Sequence, residues 1–250
     1  MSIEQLDSLV LDLREAVEGL YETFAAYDLP KDTDPCPCCH SEADEELLKS
    51  RPLRELGAAE LTGYACDALL VWGDTPLFKH FMPRLYELMV YPGETPLYVD
   101  LEILLKKLQH GQWKKWPVVE QQAVQNFLHA LWSQKLGEPV YEEDWDEASE
   151  TWLCGIAQAE DVLVPYLEQW ASDDRLSAAE TLSAFILRSA ITRSNGTGRD
   201  AFWERHDLQY DELRRWVFSE NAKDILRRAL ENGSPEARAE FEAALAMLAA

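Results

Sequence analysis

The stretch LDSLVLDLREAVEGLYETFAAY, Leu6 to Tyr27, places Leu6, Leu9, Val10, Leu13, Val17, Leu20, Tyr21, Phe24 and Tyr27 at intervals of three and four, with acids between them. That spacing is the period of one face of an α-helix, and it does not fit the alternation of a strand. Ser2 with Gln5 reads as a capping box, so a long first helix is expected over residues 1–28. An amphipathic helix of this length either lies across the body of the protein or serves as an association arm.

The same period continues outward from this helix. Helical segments are expected at 43–49, 59–72, 77–91, 100–109, 118–136, 146–157, 160–171, 178–193, 201–205, 211–218, 221–231 and 235–248. The breakers between them have physical reasons. Gly73, Gly111, Gly137 and Gly155 suit helix ends, Thr75, Ser177 and Ser234 suit N-caps, and Pro76 and Pro235 suit first turns. Pro83 inside a helix should kink it. Only Pro139-Val140-Tyr141 reads as extended, and no stretch alternates in the manner of a β-sheet. The reading is all-α: one domain over 1–250, with a long helix at 1–28, a loop at 30–42 and a helical body at 43–250. The body is an irregular bundle or a short α-solenoid of antiparallel helical pairs, since pairs recur at roughly 35–45 residues, close to known helical repeats. The nine Trp residues fall near helix ends and on apolar faces, where core packing with a local indole partner is expected.

Composition narrows the function. The 250 residues carry 23 Lys and Arg against 46 Asp and Glu, a formal charge of −23, with 47% hydrophobic residues. Residues 1–175 hold 13 bases and 34 acids, so most of the negative charge lies there. Phosphate backbones and anionic lipid would be repelled, so neither nucleic acid nor membrane is an expected partner. Glu138 to Glu150 contains seven acids and no base. Within it Glu142, Glu143, Asp144, Asp146 and Glu147 form a surface suited to a basic protein partner, although a run of this kind is also simply well solvated. No apolar run reaches a membrane span, the N-terminus carries acid where a signal peptide carries base, and the five cysteines are odd in number. A cytoplasmic protein is expected.

The chemical anomaly is Asp34-Pro35-Cys36-Pro37-Cys38-Cys39-His40 in the 30–42 loop. Cys36 and Cys39 form a C-x-x-C pair, while Cys36, Cys38 and His40 alternate; either pattern gathers soft ligands for zinc. The metal set is therefore Cys36, Cys38, Cys39 and His40, with three ligands from the loop and a fourth from elsewhere. Cys66 and His80, on the helical pair at 59–72 and 77–91, are the candidates for that position, with His80 taken into the set, and Arg84 and Glu87 share the face of His80 as outer partners of the ion or as a salt bridge. A thioredoxin-like dithiol lacks its βαβ setting, and a cysteine nucleophile would need His40 or His80 with an orienting acid. Elsewhere Cys154 reads as a buried small hydrophobe and His129 as a core or boundary residue. Asn195-Gly196-Thr197-Gly198 reads as a connector without a P-loop's setting. Two functions follow from this reading. One is an α-helical interaction or scaffold protein with a structural zinc loop and an acidic docking surface. The other is a zinc-dependent hydrolase or other metalloenzyme with a carboxylate base.

Overall fold

In the long first helix, α1 (Ile3–Phe24), Leu13, Val17, Leu20, Tyr21 and Phe24 are all buried, so the face picked out by its period is the face that packs. The computed structural model describes residues 3–139, 149–193 and 201–249, and the side chains of 13 onward within them, residues 149, 190 and 193 apart. The described residues are all-helical, and their only β pairings are isolated bridges of Trp72 with Pro35 and Ala68. Ser2, Val140-Tyr141 and Asn195-Gly196-Thr197-Gly198 lie outside the described residues, as do Glu142, Glu143, Asp144, Asp146 and Glu147 of the acidic run.

The chain divides into two compact units, Leu11–Leu131 and Met1–Val10 with Trp132–Ala250. Both divisions fall inside helices, α1 and the helix Val118–Gly137, where no Gly or Pro signals them. In the Leu11–Leu131 unit α1 is followed by α2 (Glu42–Leu48), α3 (Ala58–Asp67), α4 (Thr75–Val90), α5 (Leu101–His110) and the start of α6 (Val118–Gly137). Its core is aromatic. Phe24 meets Trp116 edge-on at 5.8 Å, Tyr64 lies against Phe81, and Tyr86 stacks on Phe127 at 5.1 Å. Helix α4 runs through Pro83 without ending. Its N-cap is Asp74, whose carboxylate accepts from Leu77 N, so Thr75 and Pro76 each sit one place further into the helix than their sequence suggests.

The other unit contains α7 (Ser149–Ala159), α8 (Val164–Ala171), α9 (Leu176–Arg188), α10 (Ala190–Arg193), α11 (Asp207–Val217), α12 (Glu220–Ala229) and α13 (Pro235–Met247). Helix α9 is buried along most of its length and packs against α7, α12 and α13. Trp170 is the hub: it stacks on Trp216 at 5.1 Å and meets Trp132 edge-on at 5.3 Å. Its indole N–H donates to Ala178 O, and Trp132 donates to Tyr166 O from 34 positions away. The buried Nε1 of Trp216 has no hydrogen-bond partner among the described residues, so the expected local indole partner is found for some tryptophans and not for all. Ser234 caps α13 as its position suggested.

Several boundaries differ from the sequence pattern, each for a local reason. The expected helix at 178–193 is interrupted at Ser189, whose extended backbone ends α9 and whose hydroxyl accepts from Ile191 N. Ser177 lies inside α9 and is buried, and Arg175 occupies the N-cap. Gly155 lies within α7 on a buried stretch and ends nothing. Helix α8 starts only at Val164, because Leu163 N is held by the Glu212 carboxylate and residues 160–163 form a connection.

Candidate metal centre

The cysteine loop takes its shape from the connection between α3 and α4. Helix α3 stops at Asp67, five residues short of Trp72, because Asp67 O accepts from Leu70, Val71 and Trp72 and turns the chain. Leu69 and Gly73 take left-handed backbone angles in this turn, and a side chain at Gly73 would strike Leu77. The turn delivers Trp72 into the core, 2% exposed, where its indole N–H donates to Thr33 Oγ1 at 2.9 Å. Thr33 in turn donates its backbone N–H and its hydroxyl to Glu45, which is also paired with Lys49. The loop is thus fixed before the first cysteine, and Cys36 N→Val71 O at 2.8 Å with Gly73 N→Asp34 O at 3.3 Å complete the attachment.

From Cys36 the backbone closes a tight turn, in which Cys39 N and His40 N both donate to Cys36 O at 3.0 Å. Ser41 and Asp44 then form a reciprocal capping box that starts α2. The turn curls the three thiols together. Cys36 Sγ lies 2.9 Å from Cys38 Sγ, Cys38 Sγ lies 3.6 Å from Cys39 Sγ, and all three fall within 4.8 Å of one another. Cys38 and Cys39 are exposed and Cys36 is half-buried. The cluster can hold a metal ion. Before any ion binds, the hydrogen bond between Cys38 and Cys36 holds the Cys36 thiol below its ordinary range and pushes Cys38 up to about 11.

No histidine belongs to this convergent group among the described residues. His40 turns back onto the α3–α4 connection. Its ring lies 4.2 Å from that of Trp72, and its Nε2 is 2.9 Å from Asp67 Oδ2, an ion-pair approach off the line of a hydrogen bond. Asp67 gives His40 the orienting acid that a cysteine nucleophile's base would need, yet His40 has no hydrogen bond to a thiol. His80 is held on α4 by its Nδ1 at 2.7 Å from Tyr27 O. Arg84 donates to Leu56 O and pairs with Glu87 at 2.6 Å, and Glu87 accepts from Tyr21 OH at 2.5 Å. The face carrying His80, Arg84 and Glu87 therefore ties α4 to the end of α1 and the segment after it. Cys66 points its thiol toward Tyr98 O, and burial raises that thiol's pKa.

The chain matches no family model, no curated protein and no solved structure. Its chemistry rests on its own geometry.

Three features near this site were missed in the sequence. Asp67 and Thr33 are the polar partners that orient His40 and Trp72. Lys107, 1% exposed, donates from Nζ to Cys66 O at 2.5 Å, and burial lowers its pKa to about 8. Lys79 forms a buried ion pair with Glu120 at 2.6 Å, with Tyr27 OH on the same carboxylate and the Trp116 ring 4.4 Å from the ammonium. Both lysines sit on apolar helix faces, Lys79 beside Phe78 and Met82 and Lys107 beside Leu104 and Leu108. A cation on a buried face was the available signal.

Three histidines remain; His110 ends α5, where burial lowers its pKa. His129 lines a groove of about 490 Å³ between α1 and α6, with Gly19, Ala123 and Asn126. His206 is buried with Nε2 at 2.9 Å from Gln158 Oε1, part of a polar network that joins the end of α7 to the start of α11. Cys154 is buried, as its neighbours suggested.

Proposed function

We propose that this chain is a cytoplasmic α-helical interaction or scaffold protein whose loop holds one zinc ion on Cys36, Cys38 and Cys39. In this reading a basic protein partner docks on its acidic surface, including Glu142, Glu143, Asp144, Asp146 and Glu147. The observation that carries the reading is the convergence of three thiols on a turn already anchored to the core by Trp72 and Thr33. Thiolates select soft and borderline ions, and a pre-shaped turn reduces the ordering that binding requires. The ion would close the loop covalently and fix the surface around it. The metalloenzyme alternative needs a carboxylate base beside the ion, either Glu87 or an acid of the 138–150 run. Glu87 is engaged by Tyr21 and Arg84 instead, and residues 140–148 of that run lie outside the described residues.

Metal analysis of protein purified without tag histidines tests this reading. About one zinc per chain is expected, lost in Cys36→Ser and Cys38→Ser. A folded, metal-free wild-type protein that takes up no added zinc would end it. For the acidic surface, amide replacement of Glu142, Glu143, Asp144, Asp146 and Glu147 should weaken partner capture at low salt, because exposed charges are screened beyond roughly 10 Å at 0.1 M salt. Equal recovery across a salt series would leave those acids a role in solubility alone.

A further inference from the structure

A structural zinc site is closed by four protein ligands, and three protein ligands leave a position open. At this turn three thiols converge, two of them exposed, and the three donors proposed or placed nearest in sequence and fold, His40, His80 and Cys66, are engaged in other directions. The His40 ring lies tilted against that of Trp72 with its Nε2 beside Asp67, His80 is bonded to Tyr27 O, and Cys66 faces Tyr98 O. The thiols need little adjustment to take an ion. Zinc–sulfur bonds of about 2.3 Å set tetrahedral sulfurs about 3.8 Å apart, and the sulfurs here are separated by 2.9 and 3.6 Å. With Cys38 and Cys39 exposed, an open fourth vertex on such an ion would be within reach of solvent.

Charge decides what suits that vertex. Zinc with three thiolates carries a net charge of −1. Residues 31–49 add Asp32, Asp34, Glu42, Asp44, Glu45 and Glu46 against Lys31 and Lys49, the latter paired with Glu45, and Asp67 lies beside His40, so the setting stays acidic. A fourth thiolate would place more negative charge in an acidic setting, whereas a neutral imidazole adds none, and basic residues around it would be attracted. We infer that the fourth coordination position is reserved for a histidine of a basic partner protein, so that the ion bridges the two chains. The inference rests on the metal reading of the cysteine loop and adds the chemistry of its partner.

Cobalt(II) loaded into the full-length protein is the probe, because its visible bands report the donor set. Expected is a tetrahedral spectrum with three sulfurs and one oxygen, which shifts saturably as imidazole is added. A Lys-rich peptide with one His should bind the cobalt form at least tenfold tighter than it binds the metal-free protein. Changing its His to Ala should remove that difference. A cobalt spectrum unmoved by imidazole means an internal fourth ligand and overturns the inference, leaving the metal site intact. Tighter binding of 2-mercaptoethanol than of imidazole overturns the choice of donor, and equal peptide binding with and without cobalt overturns the bridge. Failure to take up cobalt or zinc at all sinks the metal reading itself, and this inference with it.

Discussion

The buried pair of Lys79 and Glu120 should behave as a unit whose two halves cannot be removed separately without cost. Both side chains are nearly closed to water, 7% and 8% exposed, and Nζ lies 2.6 Å from Oε2. At that separation the attraction is about 6 kcal/mol for an effective dielectric constant of about 20, and it offsets a desolvation penalty of similar size. Lys79→Met would leave the Glu120 carboxylate buried with only Tyr27 OH as partner, at 2.6 Å. The expected loss is about 3–5 kcal/mol. Glu120→Gln would leave an ammonium against Tyr27 and Trp116, whose rings return part of the loss through their faces. The double variant removes both charges and should lie within about 1–2 kcal/mol of the parent, giving a coupling of at least about 2 kcal/mol. Urea unfolding of the four proteins, followed by circular dichroism at fixed pH, measures the cycle. Additive single effects, or a Lys79→Met loss under about 1 kcal/mol, would show that the pair is solvated and refute the argument.

Three further outcomes are expected. Lys107 has its pKa lowered by burial to about 8, against 10.5 when unfolded, so the unfolded chain binds the extra proton between those values and the penalty, present below pH 8, fades as pH rises to 10.5. Lys107→Met should therefore stabilise by up to about 3 kcal/mol at pH 7, less about 1 kcal/mol for the lost bond to Cys66 O, with the gain shrinking by pH 10; a pH-independent difference in unfolding free energy would contradict this. Trp72→Phe removes the bond to Thr33 that anchors the loop and should weaken zinc binding about tenfold, or ~1.4 kcal/mol, in a chelator competition. Unchanged affinity would mean that the thiols do not depend on the anchor. Deleting residues 1–28 strips buried Leu13, Val17, Leu20, Tyr21 and Phe24 from the core, worth about 1.5–3 kcal/mol each. The truncated protein should lose its cooperative melt and bind a hydrophobic dye, whereas a stable, soluble truncation would mark the helix as an association arm.

The all-helical class and the face of α1 that packs could be read from the chain, because a three- and four-residue repeat is a local property that each segment carries alone. The cysteine cluster was legible for the same reason: Cys36, Cys38 and Cys39 lie within one turn, and short-range backbone bonds suffice to gather their thiols. What lay beyond the sequence were choices made between distant segments. Helix α3 could continue to Trp72 on propensity, but Trp72 gains more by reaching Thr33, 39 positions earlier, so the helix stops at Asp67. His80, Arg84 and Glu87 do share a face as their spacing requires, yet spacing along α4 cannot say what faces them. Tyr21, Tyr27 and Leu56 do, and those contacts are set by how the helices pack. His40 neighbours the thiols in sequence and is still drawn off by Asp67 and Trp72, because a side chain follows the strongest partner within its reach, and reach is fixed only by the tertiary structure.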